Sequence, residues 1–279
     1  MEPLEKRQIV LLFIMCSLLT ACDKTDNNSS LTANLRFEQS IEWNEQHQYQ
    51  EIVVPSDTYS IYSIADIHVG GTTNMDLLIE KAKTALVSAV VMDGDLTTGN
   101  ADDYTEFEKH LPDKNFLNYF LIAGNHDLFS NGWPQFYNRF GSSTYMFTVR
   151  TPAETDLFIC LESGGGTLGR EQFDWLKNTL ESVRPDYRRC VIFTHVNFFR
   201  TRHTGSTTPF SEEVTSLTAL FFKNNVDMVV TGHDHEHSFE TMGNTTYIIM
   251  DALLDGFKEA GYLKLTMTNG ALDYSFEKL

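Results

Sequence analysis

Seven side chains with metal-binding chemistry stand at or just after the ends of apolar runs that are typical of buried β-strands. The seven are Asp66, His68, Asp95, Asn125, His195, His233 and His235. Carboxylate oxygens, imidazole nitrogens and an amide oxygen are hard or borderline ligands, so the set suits Mn, Fe, Co or Zn better than soft thiolate chemistry. Such groups are costly to bury unless a partner satisfies them.

The number of candidates bears on the kind of metal site. One tetrahedral zinc uses four ligands, whereas two ions bridged by a carboxylate can use all seven and keep positions open for water and substrate. In open α/β sheets, ligands collect beyond the carboxyl ends of the strands. We therefore expect the seven side chains to converge in one crevice.

The elements that position these residues alternate between strand and helix from Tyr59 onward. Apolar spacing predicts a helix over 74–88, with Leu78, Ala82 and Leu86 at helical spacing, and further helices over 103–111, 170–183 and 211–225. Ser211 is a plausible N-cap of the last helix. Beyond it, one more apolar strand leads to His233, and strands and turns alone follow, with turn signals at Gly243 and Gly270.

Five short motifs occur in an order that resembles the calcineurin-like metallophosphoesterases. The pattern of that family is DxH, GD, GNH followed by Asp or Glu, an isolated His after a strand, and GHxH. Here it reads Asp66 to His68, Gly94 to Asp95, Gly124 to Asp127, His195, and Gly232 to His235. Five ordered motifs over about residues 59 to 250 are far more specific than any one of them.

The resemblance implies a fold and a site. The fold is an α/β class, four-layer α/β/β/α sandwich of two mixed sheets flanked by helices. The implied ligands are Asp66, His68 and His235 for one divalent transition-metal ion, Asn125, His195 and His233 for a second, and Asp95 between the two. A hydroxide between the ions would attack phosphorus in line. His126 would contact the phosphoryl oxygens or protonate the leaving alkoxide, and Asp127 would orient its ring.

Two departures from the family's pattern exclude two of its branches. Thr98 stands where purple acid phosphatases have a tyrosine ligand, and the arginine that follows GD in the protein Ser/Thr phosphatases is missing. The broad group that includes bacterial phosphodiesterases remains.

Several polar and aromatic residues near the motifs keep two interpretations. Asp234 is either a residue that supports the ligands or a surface residue. Arg200, Arg202 and His203 follow His195 and either bind a substrate phosphate or stay solvated. The rings of Phe198, Phe199 and Phe210 are read as anchors of that loop rather than as base-stacking groups, and Gly164 to Gly166 as a hinge or rim. His47, His110 and His237 receive no role.

The N-terminus carries a targeting signal. Lys6 and Arg7 precede an apolar stretch, Ile9 to Leu19, that is too short to span a bilayer, which predicts a signal peptide over 1–21. Leu19 to Cys22 resembles a lipobox, in which Cys22 is lipidated; the alternative is an ordinary signal with an incidental cysteine. A polar tether and N-terminal segment over 22–50 and a catalytic domain over 51–279 complete the expected organisation.

Composition limits the partners. A net charge of −17 repels nucleic acid and anionic membrane alike, so we expect no nucleic-acid partner and a membrane contact through the lipid anchor only. The only cysteines after Cys22, Cys160 and Cys190, lie in apolar runs and are read as buried free thiols rather than as a disulfide.

The sequence thus predicts an exported bacterial lipoprotein of the cell envelope, facing the periplasm or the cell surface, that hydrolyses a small phosphorylated substrate, either a phosphomonoester or a phosphodiester. Two other classes stay open. One is a metal-binding or ligand-binding envelope protein that keeps the fold without turnover. The other is a nuclease, which the export signal and the negative charge disfavour.

Overall fold

The structure is a computed structural model that describes residues 26–47, 50–197, 207 and 209–279. The signal peptide and six residues singled out in the sequence lie outside the described residues: Cys22, Phe198, Phe199, Arg200, Arg202 and His203.

Helices and strands alternate through most of the described chain. The helices are α1 (Asp26–Gln46), α2 (Thr73–Ala85), α3 (Ala101–His110), α4 (Trp133–Phe140), α5 (Gly169–Ser182) and α6 (Ser211–Lys223), with 3-10 turns over His126–Asn131 and Arg184–Asp186. The strands are β1 (Gln50–Val53), β2 (Tyr59–Ile64), β3 (Ala89–Asp93), β4 (Tyr119–Ile122), β5 (Tyr145–Arg150), β6 (Thr155–Leu161), β7 (Cys190–Thr194), β8 (Met228–Thr231), β9 (Ser238–Met242), β10 (Thr245–Ile249), β11 (Gly261–Met267) and β12 (Leu272–Lys278).

The strands form two mixed sheets. One has five strands in the order β12-β11-β2-β3-β4, and the other has seven in the order β1-β5-β6-β7-β8-β10-β9. β2, β3 and β4 are parallel neighbours in the first sheet, and β6, β7 and β8 are parallel neighbours in the second. The strands that precede the motif residues therefore end along one side of each sheet.

Three buried apolar clusters separate the layers. Because side chains alternate along a strand, Val91 packs between the two sheets whereas Val90 packs against α2 and α3. A third cluster fills the space between the seven-stranded sheet and α5 and α6, where Leu176 and Leu217 lie. This arrangement is the α/β/β/α sandwich, so the predicted fold class is confirmed.

The buried cysteines also match the sequence analysis. Cys160 on β6 and Cys190 on β7 are free and buried. Burial in apolar surroundings raises the pKa of the Cys190 thiol to about 12, which keeps it protonated and unreactive.

Helix α2 ends earlier than its apolar pattern indicates, and the predicted inclusion of Leu86 in the helix is wrong. Leu86 adopts a left-handed conformation (φ 53°) and is 87% exposed. The N–H of Val87 donates to the carbonyl of Ala82, closing the helix in a Schellman-type turn that leads into β3. Ser211 is likewise the first residue of α6 rather than its cap, because Phe210 holds the N-cap position.

Much of the expected polar tether and N-terminal segment over 22–50 is helical, because residues Asp26–Gln46 form helix α1. Ala33, Phe37 and Ser40 are buried, and the ring of Phe37 lies 6.1 Å from that of Trp175 on α5. The N–H of Glu171 also donates to the side chain of Asn34 at 3.3 Å. The folded unit therefore begins well before residue 51.

A buried ion pair joins α1 to the loop after β6. Arg36 Nε donates to Glu162 Oε2 at 2.7 Å, and the two side chains are only 10% and 1% exposed. The second carboxylate oxygen of Glu162 accepts the backbone N–H of Gly164 at 2.7 Å. No helix of the described residues is both long and apolar enough to cross a bilayer.

Removing one partner of this pair should destabilise the fold. Arg36→Met leaves the Glu162 carboxylate buried without its counterion, so we expect the free energy of unfolding to fall by about 3 kcal/mol in denaturant titrations. The control is Arg170→Met, whose guanidinium is 87% exposed in its pair with Asp174; it should change stability by less than about 0.5 kcal/mol. Equal stabilities for the two variants would contradict the docking of α1 on this ion pair.

Candidate metal centre

The candidate ligands come from strand ends of both sheets. Asp66 and His68 follow β2, Asp95 follows β3, Asn125 follows β4, His195 follows β7, and His233 and His235 follow β8. Across the two sheets, Asp66 Oδ1 lies 3.2 Å from His235 Nε2, and Asp95 Oδ2 lies 3.2 Å from His195 Nε2. Asn125 Oδ1 is 3.2 Å from the same His195 nitrogen. The expected convergence of the candidates is thus found in the structure.

Potential ligand atoms form three groups among the described residues, with all ligand atoms of a group within 4.8 Å of one another. Asp66, His68 and His235 make one, Asp95, His195 and His233 make another, and the third joins His68 and Asp95 to His126. Asp95 Oδ2 lies 3.8 Å from His68 Nε2, so this carboxylate also contacts the first group. Donors of this chemistry at this spacing suit divalent metal ions.

Hydrogen bonds around the groups leave ligand atoms available. Asp66 Oδ2 accepts the backbone N–H of His233 at 2.8 Å, but Oδ1 is buried and accepts no hydrogen bond of good geometry, although His235 is near. His195 Nδ1 lies 2.8 Å from the backbone carbonyl of Asp93, so it must carry the proton and donate. Its Nε2 faces Asp95, and with the Nδ1 proton held by the carbonyl of Asp93, loss of the Nε2 proton would leave the tautomer that a metal ligand needs.

Charges in the site show which positions favour a cation. Burial opposes the charged form of Asp95, but the neighbouring imidazoles of His195, His68 and His126 together outweigh it and hold the pKa of the Asp95 carboxyl well below its usual range. Burial likewise opposes the charged form of His195, yet the Asp95 carboxylate raises the pKa of His195 to about 10. Burial lowers the pKa of His68, which keeps that ring neutral. A cation that binds here takes over the positive charge that His195 otherwise carries.

The backbone at the ligand positions is strained. Five of the seven candidates adopt left-handed conformations, which are uncommon for residues other than glycine and cost about 1 to 3 kcal/mol each. They are Asp66, His68, Asp95, His233 and His235. Hydrogen bonds between the loops after β2 and β3 hold part of this strain, since the N–H groups of Asp66 and His68 donate to the carbonyls of Gly94 and Asp95 at 3.0 and 2.9 Å.

The glycines in the GD and GNH motifs are required by close packing of the ligands. A Cβ at Gly94 would lie 2.4 Å from the ring of His195, and a Cβ at Gly124 would lie 2.2 Å from the backbone nitrogen of Asp95. Both distances are well inside van der Waals contact. A side chain at Gly94 would push His195 of the other sheet away, and one at Gly124 would push apart the neighbouring loops after β3 and β4.

His126 lies on the solvent side of the ligand groups. Its backbone N–H donates to Asp95 Oδ1 at 2.7 Å, and its ring centroid is 4.5 Å from that of His68. The side chain is 39% exposed, with Nε2 4.0 Å from Asp95 Oδ2. A ring that borders both the ligands and the solvent can touch a substrate, as the sequence analysis expects of a proton donor.

Asp127 does not orient the ring of His126, and that part of the prediction is wrong. Its fully buried carboxylate accepts the backbone N–H groups of Leu96, Thr97 and Gly124 and the hydroxyl of Thr97, at 2.8 to 3.1 Å. Burial, together with the nearby Asp95 charge, raises the pKa of Asp127 to about 7. Asp127 ties the loop after β3 to the loop after β4, and thereby supports Asp95 and Asn125.

The remaining candidates lie beside the site or away from it. Asp234 is half-buried and accepts the side-chain amide of Asn197 at 3.3 Å, which fits a supporting role. His237 pairs with Asp251 at 2.6 Å, and His110 pairs with Asp76 on the surface. Gly164 packs against the carbonyl of Gly124, which makes its loop part of the rim.

Sequence reasoning missed two residues that contact the ligands. The hydroxyl of Thr207 lies 3.2 Å from His233 Nε2, and the carbonyl of Asp93 fixes the tautomer of His195. A threonine in a polar loop and a backbone carbonyl carry no motif that could have revealed them.

Comparison with known proteins identifies the family. The model of the calcineurin-like phosphoesterases matches residues 59–237 of the 279-residue chain. The chain belongs to the calcineurin-like phosphoesterase family. Family and site together support metal-dependent hydrolysis of phosphoric esters in general terms, while no curated protein matches the chain.

Solved structures share the fold of this phosphoesterase. A dimetal phosphatase from Danio rerio is 14% identical, with 79% of this chain and 96% of that chain covered and a TM-score of 0.64. GAP50, the anchor in the inner membrane complex of Plasmodium, is 12% identical, with 79% and 84% covered and a TM-score of 0.63. A purple acid phosphatase from yellow lupin (Lupinus luteus) seeds is 15% identical, with 80% and 52% covered and a TM-score of 0.60. At these identities the likeness shows the fold alone.

The structural role of Asp127 in the phosphoesterase can be tested directly. Asp127→Asn should lower the free energy of unfolding by about 1 to 3 kcal/mol, because the amide NH₂ would face buried N–H donors that the carboxylate now accepts. The control is Asp113→Asn, which alters an exposed carboxylate in the turn before β4 and should change stability little. Unchanged stability of Asp127→Asn combined with a large loss of turnover would instead restore the predicted catalytic role.

Proposed function

We propose that this phosphoesterase hydrolyses a phosphoric ester, either a monoester or a diester, with a pair of divalent transition-metal ions such as Mn, Fe, Zn or Co. The observation that carries the proposal is the meeting of two three-residue ligand groups at Asp95, between the ends of two sheets. Asp66, His68 and His235 would hold one ion, Asn125, His195 and His233 would hold the other, and Asp95 would contact both.

The protein would position the reacting groups and move the proton. When bound, the ions supply a lowered pKa for water and positive charge against the phosphoryl oxygens. His126 would act as the general acid, giving its proton to the leaving alkoxide, because its ring is exposed beside the ligands and its backbone is fixed to Asp95. Asp127 would keep the two loops in register without taking part in the proton transfer.

The expected substrate is a small phosphorylated molecule. The phosphate of this substrate is proposed to contact three residues that follow His195 in the chain: Arg200, Arg202 and His203. An acidic protein of net charge −17 needs such a local positive centre to attract an anion. The same net charge disfavours nucleic acid as a substrate.

A second candidate function is metal or ligand binding without turnover. The likeness to GAP50, which is described as an anchor, supports keeping this class, because the same fold is found in a protein with that description. The presence of a solvent-accessible His126 beside the ligands favours an enzyme, since a binding protein has no use for a proton donor there.

We propose that the protein is an exported bacterial lipoprotein of the phosphodiesterase-like branch, attached to the cell envelope through Cys22. The support is the lipobox-like sequence Leu19 to Cys22 after a short apolar stretch. In this proposal, the lipid is the membrane contact and the catalytic domain faces the periplasm or the cell surface.

Turnover and its dependence on two site residues test the enzymatic function. The protein lacking the first 22 residues should cleave chromogenic phosphoric esters in the presence of Mn. Asp95→Asn should abolish turnover and weaken metal binding, whereas His126→Ala should keep the metal and lower kcat about a hundredfold to ten-thousandfold. The loss in His126→Ala should grow as the leaving group becomes more basic.

The control for these substitutions is His110→Ala, which removes an imidazole from the surface pair with Asp76, away from the ligands. It should leave turnover unchanged. A wild-type protein that binds metal but cleaves none of a broad panel of mono- and diesters would establish the binding function instead.

Localisation can be tested with Cys22→Ser in a bacterial host. The variant should move from the membrane fraction to the soluble fraction and lose the label when cells are grown with a radioactive fatty acid, because the acceptor of the lipid is gone. A membrane-bound, unlabelled wild type would contradict the lipoprotein assignment.

A further inference from the structure

An exposed aromatic ring packs beside the candidate metal centre. The ring of Phe129 lies 4.8 Å from that of His126, which in turn lies 4.5 Å from that of His68. Phe129 is 44% exposed. Among the large exposed apolar residues of the described chain, it is the one whose ring is seen packed on a ring of the candidate site.

The backbone around Phe129 is held in a strained conformation. Ser130 and Asn131 are both left-handed, with φ of 52° and 60°. Gly99, at φ 88°, lies so close that a Cβ there would be 2.4 Å from the carbonyl oxygen of Phe129, and Tyr104 donates its hydroxyl proton to the carbonyl of Asp127 at 2.8 Å. Strain of this kind persists only where neighbouring structure enforces it, and it concentrates at functional sites.

We propose that Phe129 forms one wall of the leaving-group subsite and that this subsite takes a planar aromatic group. This inference rests on the proposed function, in which His126 protonates the leaving oxygen. That oxygen must then lie within hydrogen-bond reach of His126, and the group attached to it extends away from the metal ligands. The exposed ring that packs on His126 is Phe129.

The chemistry of the wall selects the class of leaving group. A phenyl face gains from offset or edge-on contact with another flat ring, and it offers no hydrogen bond to a polyol. A quaternary ammonium group would also favour an aromatic face, so a choline ester is included in the test to separate it from an aryl group. An aryl group is favoured over a polyhydroxylated one.

The test compares three methyl phosphodiesters that differ in the second alcohol, which is phenol, trifluoroethanol or choline. Wild type, Phe129→Leu and Phe129→Tyr are assayed with Mn by following release of each alcohol by NMR. For each ester, the kcat/KM of the variant is divided by that of the wild type, so that differences in intrinsic reactivity between the leaving groups cancel. The control is Phe116→Leu, an 81% exposed ring in the turn before β4, at the end of that strand opposite His126.

For Phe129→Leu, we expect kcat/KM for the phenyl ester to fall about threefold to tenfold, the size of one aromatic contact, with less than a twofold change for the trifluoroethyl and choline esters. Phe129→Tyr should have the wild-type kcat/KM for the phenyl ester, and Phe116→Leu should leave kcat/KM unchanged for all three esters. Equal losses for all three esters, a loss for choline alone, or no loss would overturn the aromatic subsite. A wild type that hydrolyses none of the three and no other ester would overturn the proposed function itself, and the subsite with it.

Discussion

The contact between Asp95 and His195 is the interaction on which the rest of the site depends. It joins a strand end of the five-stranded sheet to a strand end of the seven-stranded sheet at 3.2 Å, with Asp95 1% exposed and His195 fully buried. Burying a carboxylate is costly unless an opposite charge is close. Whether that charge is an imidazolium or a bound cation, it holds the two sheets together, so a cation that binds here also stabilises the fold.

The close packing of the ligands requires strained backbone conformations, and ordinary hydrogen bonds hold these conformations in place. Left-handed residues and side-chain-free glycines let ligands from neighbouring loops pack directly on one another, as the approach of Gly94 to His195 shows. Asp127 and the N–H to carbonyl bonds between loops then fix the spacing. Removing one of these hydrogen bonds would let the loops relax to unstrained conformations, because the left-handed conformations persist only where the surrounding structure enforces them.

The convergence of the ligands could be predicted because polar residues follow several apolar strands, whereas the layers were implied by the resemblance that the five ordered motifs carry. The sequence did not predict α1, because the buried face of that helix includes Arg36 and Ser40, and a polar face leaves no apolar periodicity to read. It misplaced Leu86 because an apolar residue in a left-handed turn looks the same as one in a helix. For Asp127, a motif gives the position of a carboxylate but not the direction in which its oxygens point.

Four different tasks fall to four of the five consecutive residues from Asn125 to Phe129 in one loop. Asn125 is a ligand candidate, His126 borders the substrate, Asp127 ties the loop to its neighbour, and Phe129 faces solvent. The conformation of the loop is held by the buried carboxylate of Asp127 and by the close fit of Gly99 against the backbone of Phe129. The side chain at position 129 can therefore change with little effect on ligands or stability, which makes it a position where this phosphoesterase could adjust its choice of leaving group independently of its chemistry.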